Sequence, residues 1–239
     1  MGSERCTVRL SAAEIARLID VSAVKAEDSE EDVRRMVQTA RTFRCIAVIA
    51  LPAMIPIAVQ LLEGDRWVAA GGVAGFPSGG ETAATKVFQT REMIQAGCTE
   101  IDMVLNVGWL RSGKNAEVTD DVRAVVEAAG NLPVKVILEC HHLTNAQICT
   151  GCDCAVRAGA AWVKTSTGWP QTGATPQNVS LIKSHVGDSI GIKAAGGIRD
   201  LATLLELYRR GARRFGLGWR TATGILEQAM ALPGGIAVT

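Results

Sequence analysis

Three charged side chains, Asp102, Lys164 and Lys193, interrupt segments that are otherwise apolar or small. The chain has seven lysines against eighteen arginines, so two lysines within apolar segments stand out. If the fold brings both ammonium groups into a poorly solvated interior, their repulsion and their burial lower the pKa of at least one of them. A neutral lysine amine can attack an aldehyde and form a Schiff base. From spacing alone, a structural lysine pair that reaches solvent or pairs with carboxylates fits equally well.

Glycines accompany the same part of the chain, at the expected ends of neighbouring strands. A single glycine commonly marks a tight turn, but glycines at three neighbouring strand ends favour a cradle whose backbone N–H groups bind an anion such as phosphate. The positions are Gly168, Gly196, Gly197, Gly216 and Gly218.

These residues need a scaffold, and the sequence predicts one with eight short β-strands. Continuous apolar runs, typical of parallel strands that helices cover, alternate with amphipathic stretches. The runs span residues 17–22, 45–51, 67–75, 99–106, 133–140, 162–166, 189–194 and 213–218.

Helix boundaries are also marked. Ser11 with Glu14, and Thr144 with Gln147, have the spacing of capping boxes, and Pro176 suits a first helical position. A short N-terminal helix followed by eight strand–helix units predicts an α/β fold, a (β/α)8 TIM barrel with its chemistry at the carboxyl ends of the strands. A doubly wound open sheet is the alternative, but no Gly-x-Gly-x-x-Gly follows the first strand.

Length and composition limit the functional classes. The 239 residues are close to the roughly 250 that a (β/α)8 barrel needs, so residues 1–239 are expected to form one domain. The formal net charge is +1, and no basic run predicts a nucleic-acid surface. No apolar run reaches the length of about 18 residues typical of a membrane span, and the polar residues 1–5 predict no signal peptide, so a cytoplasmic protein is expected. The seven cysteines are expected to be reduced.

Six segments, taken in order, are similar to one known family. They are Gly75-Phe-Pro-Ser-Gly79, Thr85-Lys-Val-Phe88, Ala96-Gly-Cys-Thr-Glu-Ile-Asp-Met-Val104, Lys135-Val-Ile-Leu-Glu139, Val163-Lys-Thr-Ser-Thr-Gly168 and Ile192-Lys-Ala-Ala-Gly-Gly-Ile-Arg199. The chain thus resembles the 2-deoxyribose-5-phosphate aldolases, which are class I, Schiff-base aldolases. The two lysine motifs downstream of the aspartate are the most specific part of the resemblance.

The resemblance implies a TIM-barrel lyase of carbohydrate catabolism that needs no metal and no organic cofactor. Lys164 would form an imine with a small aldehyde donor such as acetaldehyde. Lys193 would be the neighbouring cation that favours the neutral amine, and Asp102 with water would relay protons. The resulting enamine would add to glyceraldehyde 3-phosphate, and cleavage of 2-deoxyribose 5-phosphate is the reverse reaction. Small aldehydes and sugar phosphates are the implied substrates, and a homodimer or higher homo-oligomer is also expected.

The sequence departs from the family pattern at positions expected to face the substrate. The last strand ends in Gly216-Leu-Gly-Trp-Arg220, where the family usually has two serines that help to hold phosphate. Trp219 therefore lines or fills this part of the pocket. In the first strand Asp20 is kept and Ser22 is a conservative change, and both are expected at the substrate site. Imine chemistry on another acceptor, phosphorylated or not, and a non-catalytic barrel that binds a metabolite remain alternatives.

A metal centre is the other alternative, because cysteines and histidines cluster between residues 140 and 154. Cys149 and Cys152 share a helix face, but Cys154 points elsewhere and no second Cys-x-x-Cys completes a zinc site. Reduced cysteines that pack as small hydrophobic side chains are favoured, and no metal ligand is assigned. One of His141 and His142 is expected to face the pocket, because neighbouring strand residues alternate in direction.

Overall fold

The computed structural model describes residues 8–232 and 234–238. Within them, ten β-strands occur: β1 (Val8–Leu10), β2 (Ile19–Ala23), β3 (Ala47–Ala50), β4 (Ala69–Ala74), β5 (Glu100–Val104), β6 (Val134–Ile137), β7 (Trp162–Lys164), β8 (Gly191–Ala195), β9 (Arg214–Gly218) and β10 (Ile236–Val238). The α-helices are α1 (Ala12–Ala16), α2 (Glu30–Phe43), α3 (Ile55–Leu61), α4 (Ala83–Gln95), α5 (Val107–Arg111), α6 (Asn115–Ala129), α7 (Asn145–Arg157), α8 (Pro176–Val186), α9 (Leu201–Arg209) and α10 (Trp219–Met230). Short 3-10 helices occupy Pro52–Met54 and Cys140–His142.

Strands β2 to β9 form a closed parallel barrel in chain order, in which β9 also pairs with β2. The eight predicted strands correspond one to one with these barrel strands, so the predicted (β/α)8 TIM barrel is confirmed. The antiparallel pair of β1 with β10 was not predicted, because each strand is three residues long and carries little pattern. Residues 1–5, which predict no signal peptide, lie outside the described residues.

The predicted capping boxes and the predicted first helical proline occur in the structure at the expected residues. The Ser11 hydroxyl accepts the Glu14 backbone N–H while the Glu14 carboxylate accepts the Ser11 N–H, and Thr144 and Gln147 form the same reciprocal pair at α7. Pro176 is the first residue of α8. These local contacts fix where each helix begins, and therefore how each loop at the carboxyl end of a strand is closed.

Small residues bring the barrel strands and the covering helices close together. A Cβ atom on Gly71 of β4 would lie 2.6 Å from Ile49 Cδ1 and 3.0 Å from Glu100 Cγ, and one on Gly72 would lie 2.2 Å from Met93 Sδ. Glycine at 71 therefore leaves space inside the barrel beside Glu100, and glycine at 72 lets α4 pack against the outside.

A buried ion pair lies outside the barrel, between α4 and α6. Lys86 Nζ is 2.6 Å from Asp121 Oδ2 and donates to the Val104 carbonyl at 3.0 Å, and both side chains are fully buried. Removing one partner of such a pair strongly destabilises a protein, because the other charge stays buried. Among the described residues, no helix has the length and apolarity that crossing a membrane requires.

Candidate active site

Charged side chains fill the centre of the barrel at the level where β7 ends. Four basic residues and three carboxylates make ion pairs with one another, and each of these side chains is at most 7% exposed. They come from six of the eight barrel strands, and we call them the charge network: Asp20, Glu100, Asp102, Lys135, Lys164, Lys193 and Arg214.

Asp102 is the centre of this network, since three ammonium groups bind its carboxylate. Its Oδ1 accepts from Lys135 Nζ at 2.8 Å, and its Oδ2 accepts from Lys164 Nζ at 2.8 Å and from Lys193 Nζ at 2.7 Å. Lys164 and Lys193 are paired in register on neighbouring strands, so their side chains project to the same side of the sheet. The structure therefore brings together the three residues that the sequence singled out.

The pKa values of the buried Lys135 and Lys193 shift in opposite directions. Although burial opposes ionisation, the three lysines around Asp102 hold the pKa of its carboxyl well below its usual range. Burial also lowers the pKa of a lysine, but at Lys135 the carboxylates of Asp102 and Glu100 outweigh burial and raise the pKa. At Lys193 burial outweighs the attraction of its carboxylate partners, and the pKa falls to about 8. Within this pair the lowered pKa lies at Lys193, the residue that the resemblance assigned as the neighbouring cation.

The three lysines around Asp102 differ in solvent exposure and in the number of their carboxylate partners. Lys135 and Lys193 are fully buried and each contacts two carboxylates, whereas the Lys164 side chain is 7% exposed and contacts one. Gly216 leaves room for both lysine stems, since a Cβ at this position would lie 3.3 Å from Lys193 Cε and 3.9 Å from Lys164 Cε. Lys164 is therefore the least desolvated of the three amines and has the fewest carboxylate partners.

A cavity of about 440 Å³ lies at the carboxyl ends of the strands, above the charge network. Its volume falls within the range of about 300–1,000 Å³ that small-molecule sites occupy. Nine of the residues predicted for the site line its wall: Ser22, Lys164, Gly168, Lys193, Gly196, Gly197, Gly216, Gly218 and Trp219. Asp102 lies beneath the wall and binds both lysines.

Asp20 is placed differently from the expectation of a substrate contact. It is fully buried below the cavity, where it pairs with Lys193 and accepts from Arg214 Nε at 2.6 Å. Residues two apart on a strand face the same side, so Ser22 holds the cavity position and Asp20 lies one layer deeper. Asp20 is thus part of the charge network and not of the cavity wall.

Trp219 lines the cavity from its edge and is held from outside. Its indole N–H donates to Asp32 Oδ1 at 3.2 Å, and the guanidinium groups of Arg220 and Arg35 lie 4.2 and 5.6 Å from the ring centre. Gly218, the residue before α10, gives the helix no side-chain cap. The first N–H groups of α10 therefore lack a side-chain acceptor at the cavity wall.

Glu139 lies in a segment that resembles the family, and the sequence alone assigns it no role. In the structure its carboxylate holds the loop that follows β7. Its buried carboxylate accepts the Ser166 hydroxyl at 2.5 Å, the Thr167 N–H at 3.2 Å and the Thr167 hydroxyl. These residues lie between Lys164, the last residue of β7, and Gly168. Glu139 therefore fixes the loop that connects the nucleophile candidate to Gly168.

Among the described residues, no histidine or cysteine lines the cavity. The expectation that one of His141 and His142 faces the pocket is wrong, because both lie in a 3-10 helix and not in a strand. His141 and His142 are both exposed, and His141 Nδ1 is 2.6 Å from the Thr172 hydroxyl. Within the described part of the chain, no group of three or more His, Cys, Asp or Glu side chains is arranged to hold a metal ion. Six of the seven cysteines are described and are free, and burial raises the pKa of the Cys140 thiol to about 12. A thiol of this kind is a poor source of the thiolate that zinc requires.

Sequence reasoning missed three members of the charge network, Glu100, Lys135 and Arg214. Each is a charged residue within a predicted apolar strand, which is the same signal that singled out Asp102. It also missed Lys25 and Arg199, which line the cavity from loops and give no such signal.

Known proteins share this chain's sequence and fold over most of its length. The family model described as "DeoC/LacD family aldolase" matches residues 15–217. A deoxyribose-phosphate aldolase of Klebsiella pneumoniae is 46% identical over 215 residues, which are 89% of this chain and 86% of that one. One from Sinorhizobium medicae is 42% identical and covers 94% of this chain and 91% of its own. The chain belongs to the DeoC/LacD aldolase family.

The fold of the aldolase is also similar to that of a solved structure. The structure described as a unique tetrameric deoxyribose phosphate aldolase from Aeropyrum pernix has a TM-score of 0.85 and 30% identity, covering 92% of this chain and 93% of its own. Membership makes the protein a class I aldolase, a carbon–carbon lyase.

We expect Glu139→Ala to lower the kcat/KM of the aldolase about 10- to 100-fold, because hydrogen bonds to a charged group contribute about 1.5–3 kcal/mol. Glu139→Gln keeps one acceptor oxygen and should lose less. Steady-state kinetics check the order of the three proteins, and thermal unfolding checks that each is folded. An unchanged kcat/KM in folded Glu139→Ala would contradict the role of Glu139.

Proposed function

We propose that the aldolase cleaves 2-deoxyribose 5-phosphate to acetaldehyde and glyceraldehyde 3-phosphate, and catalyses the reverse addition, through a Schiff base on Lys164. One observation carries the choice of nucleophile. Of the three lysines bound to Asp102, Lys164 is the one that is partly exposed at the cavity and has a single carboxylate partner.

The charge network favours a neutral amine. Four basic side chains face three carboxylates, so full protonation leaves one uncompensated positive charge in the barrel. Burying an uncompensated charge is costly, and loss of one lysine proton removes that cost. Lys164 and Lys193 share Asp102 Oδ2, so this proton deficit belongs to the pair. Lys164 is the member of the pair that is partly exposed at the cavity, so we assign it the attack on the substrate.

In the addition direction, Lys164 Nζ attacks the carbonyl carbon of acetaldehyde and gives a carbinolamine. Loss of water forms the iminium ion, which withdraws electrons from the adjacent methyl carbon. Removal of a methyl proton gives the enamine, which forms the new carbon–carbon bond with the acceptor aldehyde. Asp102 and Lys193 lie within hydrogen-bond distance of the reacting amine or its partner, and we assign them the proton transfers, with water as carrier. Hydrolysis of the product iminium restores Lys164.

The cavity charges favour a phosphorylated acceptor over an unphosphorylated one. Lys25, Arg199 and Arg220 line the outer cavity, against one carboxylate, Asp28. Within the described residues Arg199 makes no ion pair, whereas Arg220 pairs with Asp32. Gly168, Gly196 and Gly197 all have positive φ, between 81° and 86°, and lie beside the uncapped start of α10. Cations, glycine turns and a free helix start together favour phosphate, although the family's serines are absent.

We propose that the aldolase is cytoplasmic and forms a homo-oligomer. The free thiols at six cysteines support a reducing compartment. The relative from Aeropyrum pernix is described as tetrameric, and Phe88 and Met230 are 66% and 64% exposed here, as apolar contact residues would be in an isolated chain. Light scattering of the purified protein should give a multiple of 25.2 kDa, and a monomer at micromolar concentration would contradict the assembly.

Borohydride reduction in the presence of acetaldehyde should attach one ethyl group to Lys164, as read by peptide mass spectrometry. Only a neutral amine attacks an aldehyde, so trapping should rise with pH. Lys164→Arg keeps the charge without a nucleophile at these pH values and should give no adduct. An adduct at another lysine, or none, would remove Lys164 from its role.

Arg199→Met should raise the KM for 2-deoxyribose 5-phosphate about tenfold or more, because an arginine–phosphate contact contributes about 1.5–3 kcal/mol. The same change should leave turnover of unphosphorylated 2-deoxyribose almost unaltered. Arg199→Lys keeps the charge and should retain part of the preference. Equal losses on both substrates would contradict phosphate recognition at this end of the cavity.

A further inference from the structure

A second tier of charges lies beneath the reactive lysines and has no access to substrate. Lys135 Nζ is 2.8 Å from Asp102 Oδ1 and 2.9 Å from Glu100 Oε1. Arg214 Nη2 donates to both Glu100 oxygens at 2.7 Å, and its Nε donates to Asp20. None of these four residues of the lower tier, Asp20, Glu100, Lys135 and Arg214, lines the cavity. Their charges nevertheless reach the lysine pair through Asp102 and Asp20.

We propose that Lys135 and Glu100 are positioning residues that set the proton count of the Lys164/Lys193 pair, so that opposite substitutions shift the pH at which the aldolase becomes active in opposite directions. The inference rests on the proposed function, in which Lys164 must be neutral to attack the aldehyde. It extends that function by assigning the tuning of the pair to residues that never touch substrate.

The charges in the closed interior of the barrel do not balance. The network holds one more basic side chain than it holds carboxylates, and that excess makes the loss of one lysine proton favourable. Removing the charge of Lys135 leaves three basic residues and three carboxylates, and both reactive lysines can then stay protonated. It also frees Asp102 Oδ1, which strengthens the attraction of Asp102 for Lys164 and Lys193. Both effects raise the pH needed for a neutral amine.

Removing the charge of Glu100 acts in the other direction. Four basic residues then face two carboxylates, so the pair should lose its proton at lower pH. Removing both charges restores the original excess of one. A merely structural role for these residues predicts no such compensation, because the double variant would combine two packing defects.

All charged residues within the barrel strands are included in this balance. The buried Glu139 carboxylate, in the loop after β6, accepts hydrogen bonds from Ser166 and Thr167 and is unchanged in every variant. The barrel strands β2, β5, β6, β7, β8 and β9 contribute the seven network residues. The remaining strands, β3 and β4, have no charged residue within Ala47–Ala50 or Ala69–Ala74. Lys25, Asp28, Arg199 and Arg220 lie further out on the cavity wall, where solvent screens them.

The test uses Lys135→Met, Glu100→Gln, the double variant and the intact chain, with borohydride trapping of acetaldehyde at Lys164 measured across pH. Lys135→Met should move the midpoint up by about one pH unit or more, and Glu100→Gln should move it down by a similar amount, since a neighbouring charge shifts a pKa by about 1–3 units. At pH 7 Lys135→Met should therefore trap about tenfold less than the intact protein. The double variant should return to within about half a unit of the original midpoint, because its charge excess is restored.

Lys86→Met is the matched control, because Lys86 is also a fully buried lysine paired with a carboxylate but lies outside the network. It should reduce stability and leave the midpoint unchanged. Circular dichroism and thermal unfolding show which variants are folded. If Lys135→Met does not fold, Glu100→Gln decides alone: a lower midpoint supports the charge balance, and an unmoved one overturns it.

A second readout separates this inference from the proposed function. Acetylation of Lys164 by acetic anhydride across pH, followed by mass spectrometry, reports the neutral amine without any aldol chemistry. If borohydride traps no adduct on the intact protein, the proposed function is wrong. The pH midpoints of acetylation then still test the charge balance. Midpoints that do not move in Lys135→Met and Glu100→Gln, or that move further in the double variant, overturn it.

Discussion

The sharing of one carboxylate by three ammonium groups is the interaction on which this structure depends. Asp102 binds Lys135 through one oxygen and both Lys164 and Lys193 through the other. Lysine and aspartate are rarely buried without partners, because desolvation of each ion costs several kcal/mol. The barrel tolerates this cluster because six strands place charged side chains in adjacent layers of its interior, where each of them contacts a group of opposite charge. A closed parallel sheet does this through its register, since side chains paired across neighbouring strands project to the same side.

The lower tier also makes this arrangement rigid. Arg214 spans Glu100 and Asp20 with planar, two-pronged geometry, and these carboxylates in turn hold Lys135 and Lys193. Two fixed N–H directions resist rotation better than a single point charge does. The reactive amine therefore stands on a framework that reaches across the barrel. Under our proposal, the charges of the whole cluster, and not the lysine pair alone, set how many protons the pair holds.

The sequence was sufficient for the eight strands, the closed barrel and the meeting of Asp102, Lys164 and Lys193. It was not sufficient for depth within the barrel. In a parallel strand buried on both faces, the apolar pattern does not say which residues point inward or at which level. Asp20 was expected at the substrate, yet it lies one layer below Ser22, a step of roughly 6–7 Å along a strand. Lys135 carried the same strand-interrupting signal as Lys164, but its pairing with Asp102 depends on strand register, which spacing along the chain does not give.

The structure separates the chemistry of the site from its choice of substrate. All seven charged groups of the network lie in strands, where a change alters packing and charge together. The residues that depart from the family pattern, such as Trp219, lie where the strands end and contact the network less directly. Trp219 binds Asp32 of α2 and stacks on Arg220, so the loss of the family's hydroxyl donors leaves Asp102 and its lysines in place. A helix start, glycine turns and Arg199 remain at the same end of the cavity, and the proposed phosphate contact would use all three. A barrel built in this way can change its rim while its interior keeps the balance of charge that frees one amine.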